Sequence, residues 1–87
     1  MEQYVILARS VTYAQRMQKL LEKAGIYAHI SRAPRLLTDL GCAYILRLQT
    51  QFIRQALDIL HFDGMDPLRV FYEEKGSYRE VRLHDIF

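Results

Sequence analysis

The stretch Ile26-Tyr27-Ala28-His29-Ile30-Ser31-Arg32-Ala33-Pro34-Arg35-Leu36-Leu37-Thr38-Asp39-Leu40-Gly41-Cys42-Ala43-Tyr44-Ile45-Leu46-Arg47-Leu48 decides the fold. Its two ends read as strands. Ile26–Ile30 alternates as a half-buried strand does, and Ala43–Leu48 is an apolar run broken only by Arg47. Pro34 ends the first of them, because its ring fixes φ and removes an amide donor. Between them lies the loop Pro34–Gly41, so two strands follow one another with no helix between.

Outward from this pair, the pattern on each side is a strand joined to a helix. Tyr4-Val5-Ile6-Leu7-Ala8 is a continuous apolar run, which reads as a central strand. Thr12 with Gln15 matches a capping box, opening a helix whose apolar face is Ala14, Met17, Leu20, Leu21 and Ala24. Gly25 suits the left-handed residue that ends a helix. Downstream, Thr50 is placed to cap a second helix with Phe52, Ile53, Ala56, Leu57 and Leu60 on its buried stripe. Asp63-Gly64 closes it, and Asp66-Pro67 leads into a fourth strand, Leu68–Tyr72. Lys75-Gly76-Ser77 reads as a tight turn. Beyond it, Tyr78–Leu83 reads as a short extra strand, with residues 78–87 as a loose polar tail the alternative.

The order β-α-β-β-α-β predicts an α+β fold of the ferredoxin-like kind: an antiparallel sheet with two helices on one face. Composition agrees. The chain has 87 residues, 51% hydrophobic and 25% charged, which fits a single ordered domain spanning 1–87. A formal charge of +2 is too small to point to nucleic acid. No apolar run approaches the ~20 residues needed to span a bilayer, and Met1-Glu2-Gln3-Tyr4 carries no basic leader. One cysteine forms no internal disulfide, so a reducing cytoplasm is expected. No Cys/His spacing suggests a metal, and no cofactor is expected.

In such a fold the end of strand one, the start of helix one, the end of strand two and the start of strand three share one rim. Arg9, the turn from Ser10 to Thr12, Arg32, Arg35 and Cys42 are expected to gather there. Cations and helix amides favour thiolate over thiol, and thiolate is the reactive form. The plain alternative is that Cys42 is a small buried filler, since free cysteines are among the most buried residues.

The loop resembles one family in particular. Pro34-Arg35, Leu37-Thr38 and Gly41-Cys42 ahead of an apolar strand are similar to the selenium/sulfur (Se/S) carrier protein-like family. Thr38 stands where that family commonly has serine, which keeps the hydroxyl. Gly41-Cys42 reverses the family's usual Cys-Gly order. The resemblance implies a cysteine that holds sulfur or selenium as a persulfide or selenopersulfide. It implies a donor such as a cysteine desulfurase, an acceptor enzyme, and a stoichiometric carrier without turnover of its own. Arg9, Arg32, Arg35, Ser10 and Thr38 then become electrostatic and hydrogen-bonding support, and Gly41 leaves room for a partner to approach.

Other readings are weaker. His29 belongs on the open sheet face, His61 lies near the end of helix two and His84 in the tail, and no specific signal marks the orienting partner and oxyanion hole that a Cys-His hydrolase needs. Tyr27, Tyr44 and Phe71 lack the aromatic-glycine signature of an RNA platform. Arg9 is well placed for acyl-phosphate hydrolysis, but the chain has no asparagine. The mixed open face of Tyr27, His29, Arg47, Arg69 and Phe71 suggests a homodimer, and the rival function is an interaction module with a structural cysteine.

Overall fold

The computed structural model describes residues 2–38 and 43–82. Along the chain run β1 (Gln3–Ala8), α1 (Val11–Lys23), β2 (His29–Arg32) and β3 (Tyr44–Gln49). A single 3₁₀ turn, Thr50–Phe52, then leads into α2 (Ile53–Phe62), followed by β4 (Arg69–Glu74) and β5 (Ser77–Val81). The strands form one sheet in the order β2-β3-β1-β4-β5, every neighbouring pair antiparallel. This is an α+β architecture compatible with the ferredoxin-like arrangement.

β1 lies at the centre and is buried on both faces, which is why its sequence is a near-continuous apolar run. On one face Ile6, Ala8, Leu46 and Val70 meet Ala14, Met17 and Leu21 of α1 and Ala56, Leu57 and Leu60 of α2. Both helices end in the same way. The Gly25 amide donates to the Glu22 carbonyl and Ile26 to Leu21, and Gly64 and Met65 repeat this on His61 and Leu60, all at 2.8–3.0 Å. Gly25 and Gly64 hold φ of +78° and +71°. In each case the next residue, Ile26 or Met65, drops into the core.

The boundaries correct several expectations. Ser10, not Thr12, caps α1: its backbone is extended and its Oγ accepts from the Tyr13 amide at 3.2 Å. Thr50 caps nothing; it begins the 3₁₀ turn, and neither that turn nor α2 has a side-chain cap. β2 starts at His29 rather than Ile26, because Ile26 is used in the cap of α1 and the Ala28 carbonyl accepts from Gln18 Nε2 at 2.7 Å. Tyr27 therefore precedes the strand and is exposed, and Ala24 is exposed as the helix-capping residue. β4 begins at Arg69 and runs two residues past Tyr72. Lys75 and Gly76, both with positive φ, form the two-residue turn into β5. The extra strand is thus present over Ser77–Val81, and Leu83 lies outside the described residues.

The face opposite the helices is not open throughout. Val5, Leu7, Ile45 and Phe71 form a second apolar cluster, roofed by Leu37 and Ala43, with Ala33 and Tyr78 at its margin. Phe71, expected on an open face, is 6% exposed beneath this roof.

Beside the cluster, on the same face, the cross-strand register aligns Arg47 with Val5 and Glu73 with Gln3. Arg47 Nε donates to Glu73 Oε1 at 2.9 Å, and its Nη atoms reach Ser31 Oγ at 2.9 Å and Tyr78 Oη at 3.1 Å. Gln3 Nε2 also donates to Glu73 Oε1 at 2.9 Å. Burial pushes the Glu73 carboxyl up, but the hydrogen bonds from Arg47, Tyr78 and Gln3 outweigh it and hold the group below its ordinary range. The bond to Glu73 likewise raises Arg47. Five strands are tied by one half-buried polar cluster.

Candidate functional site

The antiparallel register brings the expected strand ends together. Ala8 lies opposite Tyr44, and Tyr44 opposite Arg32, so β1 ends where β2 ends and β3 starts. The Leu68 amide donates to the Leu7 carbonyl at 2.9 Å, which adds the start of β4 to the same rim. The loop between β2 and β3 springs from this rim. Its described ends are fastened: the Ala33 amide donates to the Ala43 carbonyl at 3.1 Å, and the Leu37 amide to the Pro34 carbonyl at 3.0 Å.

Five of the predicted site residues have described places at this rim. Arg9 follows β1, and its guanidinium lies over the Tyr13 ring, 5.0 Å from the centroid. Ser10 sits beside it with its hydroxyl committed to the α1 cap, so one of the helix amides expected to face a ligand is already taken. Arg32 is exposed at the end of β2. Arg35 is exposed and Thr38 half-buried, and both line a groove. Gly41 and Cys42 lie outside the described residues.

That groove encloses about 450 Å³ at this rim. Arg35, Leu36 and Thr38 form its loop wall, and Leu68 and Arg69 its strand wall. Leu37 anchors the loop wall by turning inward to 3% exposure, while Leu36 beside it stands 82% exposed. Arg69 has a long ion pair with Glu80, 3.8 Å, in which both side chains are more than half exposed. Such a pair is worth little and leaves Arg69 electrostatically available. Sequence reasoning placed Arg69 on the open sheet face but did not join it to the loop. The signal was present: a fourth strand antiparallel to β1 must begin at the rim where β1 ends.

The arrangement offers cations and a shallow groove, lined by both leucine and arginine, along one end of the sheet. Among the described residues no cluster of His, Asp or Glu has the make-up to hold a metal ion, and no helix is long and apolar enough to cross a membrane. A family model described as "Putative Se/S carrier protein-like" matches residues 3–72. No curated protein and no solved structure matches the chain.

Proposed function

This chain belongs to the Se/S carrier protein-like family, and on that premise we propose that it carries sulfur or selenium on Cys42 and delivers it to an acceptor enzyme. The family match over residues 3–72 is the observation that carries this reading, since that span contains Cys42 and every other residue assigned to the site. The ferredoxin-like domain serves as a scaffold, and its cysteine loop is the working part.

The chemistry is an exchange at sulfur. The Cys42 thiolate attacks the terminal sulfur of a donor persulfide. A new S–S bond forms on Cys42 as the donor's S–S bond breaks, and the donor leaves as its thiolate. The proton of the terminal sulfur travels with it, so charge is conserved and no external oxidant or reductant is needed. Delivery is the same step in reverse order, with an acceptor thiolate as attacker. Selenium follows the same path as a selenopersulfide. Arg9, Arg32 and Arg35 favour the attacking thiolate and, once the carried proton is lost to solvent, the persulfide anion; Ser10 and Thr38 supply hydrogen-bonding groups, and Gly41 leaves the approach clear. The protein acts stoichiometrically in a reducing cytoplasm, with a cysteine desulfurase as the class of donor.

Intact mass after incubation with a cysteine desulfurase and cysteine or selenocysteine tests the reading. One added sulfur or selenium, ~32 or ~79 Da, absent in Cys42→Ala, is the expected result, as is alkylation of Cys42 with a midpoint below the ordinary ~8.5. No mass gain, with a thiol inert to alkylation, returns Cys42 to a packing role in an interaction module.

A further inference from the structure

The exposed apolar side chains of this protein are not scattered. Among the described residues, Leu36 (82% exposed), Phe62 (91%), Leu68 (41%) and Val11 (39%) stand at the loop-bearing end of the sheet. Val11 opens α1 just after β1, Leu36 belongs to the loop, and Leu68 is hydrogen-bonded to the end of β1. Phe62 closes α2, whose chain returns to that same end to start β4. Tyr27, also exposed, lies at the far end, before β2. Apolar residues concentrated at one end and bordered by polar ones mark an interaction surface.

The charges around them are ordered too. The sheet side of the rim carries Arg32, Arg35 and Arg69, Arg9 lies over Tyr13 of α1, and the α2 side carries Asp63 and an Asp66 already paired with His61 at 2.9 Å. Arg35 and Arg69 come from different elements yet line the one groove that Leu36 and Leu68 flank. Arginine is enriched at interfaces and in their anchoring positions, and here two arginines stand beside two exposed leucines.

We infer that the groove between Leu36 and Leu68, flanked by Arg35 and Arg69, docks the protein that exchanges sulfur or selenium with Cys42. The occupant is a partner surface that presents an apolar side chain ringed by carboxylates. This rests on the carrier reading, because it assigns the partner surface of that same loop. Docking here brings the partner to the segment from which Cys42 extends. It also replaces the water around the exposed Leu36 and Leu68 side chains, which supplies binding energy that a mobile small thiol lacks.

The test compares two donors for the rate of Cys42 loading, read by intact mass: a persulfidated cysteine desulfurase and inorganic polysulfide. Leu36→Ser/Leu68→Ser changes no charge and no buried position; its thermal melt checks folding. It is expected to slow loading from the desulfurase by about tenfold or more, as loss of interface anchors does, and to leave polysulfide loading within about twofold. Arg35→Gln/Arg69→Gln is expected to flatten the salt dependence of the desulfurase rate. Equal desulfurase rates in the leucine variant and the unaltered chain overturn the docking site and leave the carrier reading intact. If the unaltered chain is loaded by neither donor, both readings fall. If sedimentation shows that the leucine substitutions dissolve a dimer, the occupant is a second copy, and the inferred partner is wrong.

Discussion

The Ala33 amide donates to the Ala43 carbonyl at 3.1 Å, closing the neck of the loop that bears Gly41-Cys42. Just inside that neck Leu37 turns into the second apolar cluster with Val5, Leu7, Ile45 and Phe71, while its neighbour Leu36 faces outward. One residue anchors the loop, and the adjacent one is left for other uses.

Leu37→Ala is therefore expected to destabilise the fold by about 3 kcal/mol, the usual range for emptying a buried leucine site. Leu36→Ala at its 82% exposed neighbour should stay within about 0.5 kcal/mol. Urea midpoints of the two variants decide it: equal losses would mean that the loop does not roof the sheet.

Arg47 and Glu73 are each half-buried or deeper and share a hydrogen bond of 2.9 Å. Glu73→Ala leaves the guanidinium partly desolvated without its anion, at an expected loss of about 2 kcal/mol. The double variant Arg47→Met/Glu73→Met removes both charges and should recover much of that loss. A double variant no better than Glu73→Ala would argue that the cluster is not held as a charge pair.

The same carboxylate sets an acid limb. Its folded-state pKa lies below the unfolded value, so its contribution is present above the ordinary carboxylate range. It is lost as pH falls through that depressed value. Glu74 acts in the opposite sense: its hydrogen bond with Glu2 raises it, favouring the folded state at low pH and fading as pH rises. Stability measured by denaturant from pH 7 downward should fall in the unaltered chain and fall less steeply in Glu73→Gln. Parallel slopes for the two would assign acid unfolding to other carboxylates.

At Gly25 and Gly64 an added Cβ meets nothing within 4 Å, so only the positive φ resists substitution. Alanine at either position should cost about 1 kcal/mol, and the two losses should be similar and additive, since the sites lie on different helices. A loss of several kcal/mol at one of them, by thermal melt, would point to packing rather than backbone conformation.

The element order was legible because apolar runs marked the buried strands and the helical stripe marked both helices. Gly25, Gly64 and Lys75-Gly76 marked their turns by backbone chemistry alone. The helix starts were less legible. Ser10, Thr12 and Thr50 are all good capping residues, and the choice fell to which one tertiary packing leaves extended. The second apolar cluster was hidden for a different reason: Leu37 sits in a segment with loop signals, and nothing local says that a loop residue will roof a sheet. Of the site, the loop and its arginines could be read from the chain. Their union with Leu68 and Arg69 required the sheet register.

The family match ends at Tyr72, in the middle of β4. Arg47 lies within it, yet its counter-ion Glu73 is the next residue beyond, and Tyr78, which accepts another of its hydrogen bonds, is on β5. A chain cut after Tyr72 would strand a guanidinium on the sheet, strip Phe71 of its neighbour Tyr78 and turn β4 into a bare edge. The contacts that complete the sheet thus extend past the piece that identifies the family, and a chain ending at Tyr72 is expected to be less stable than one that keeps the closing hairpin through Val81.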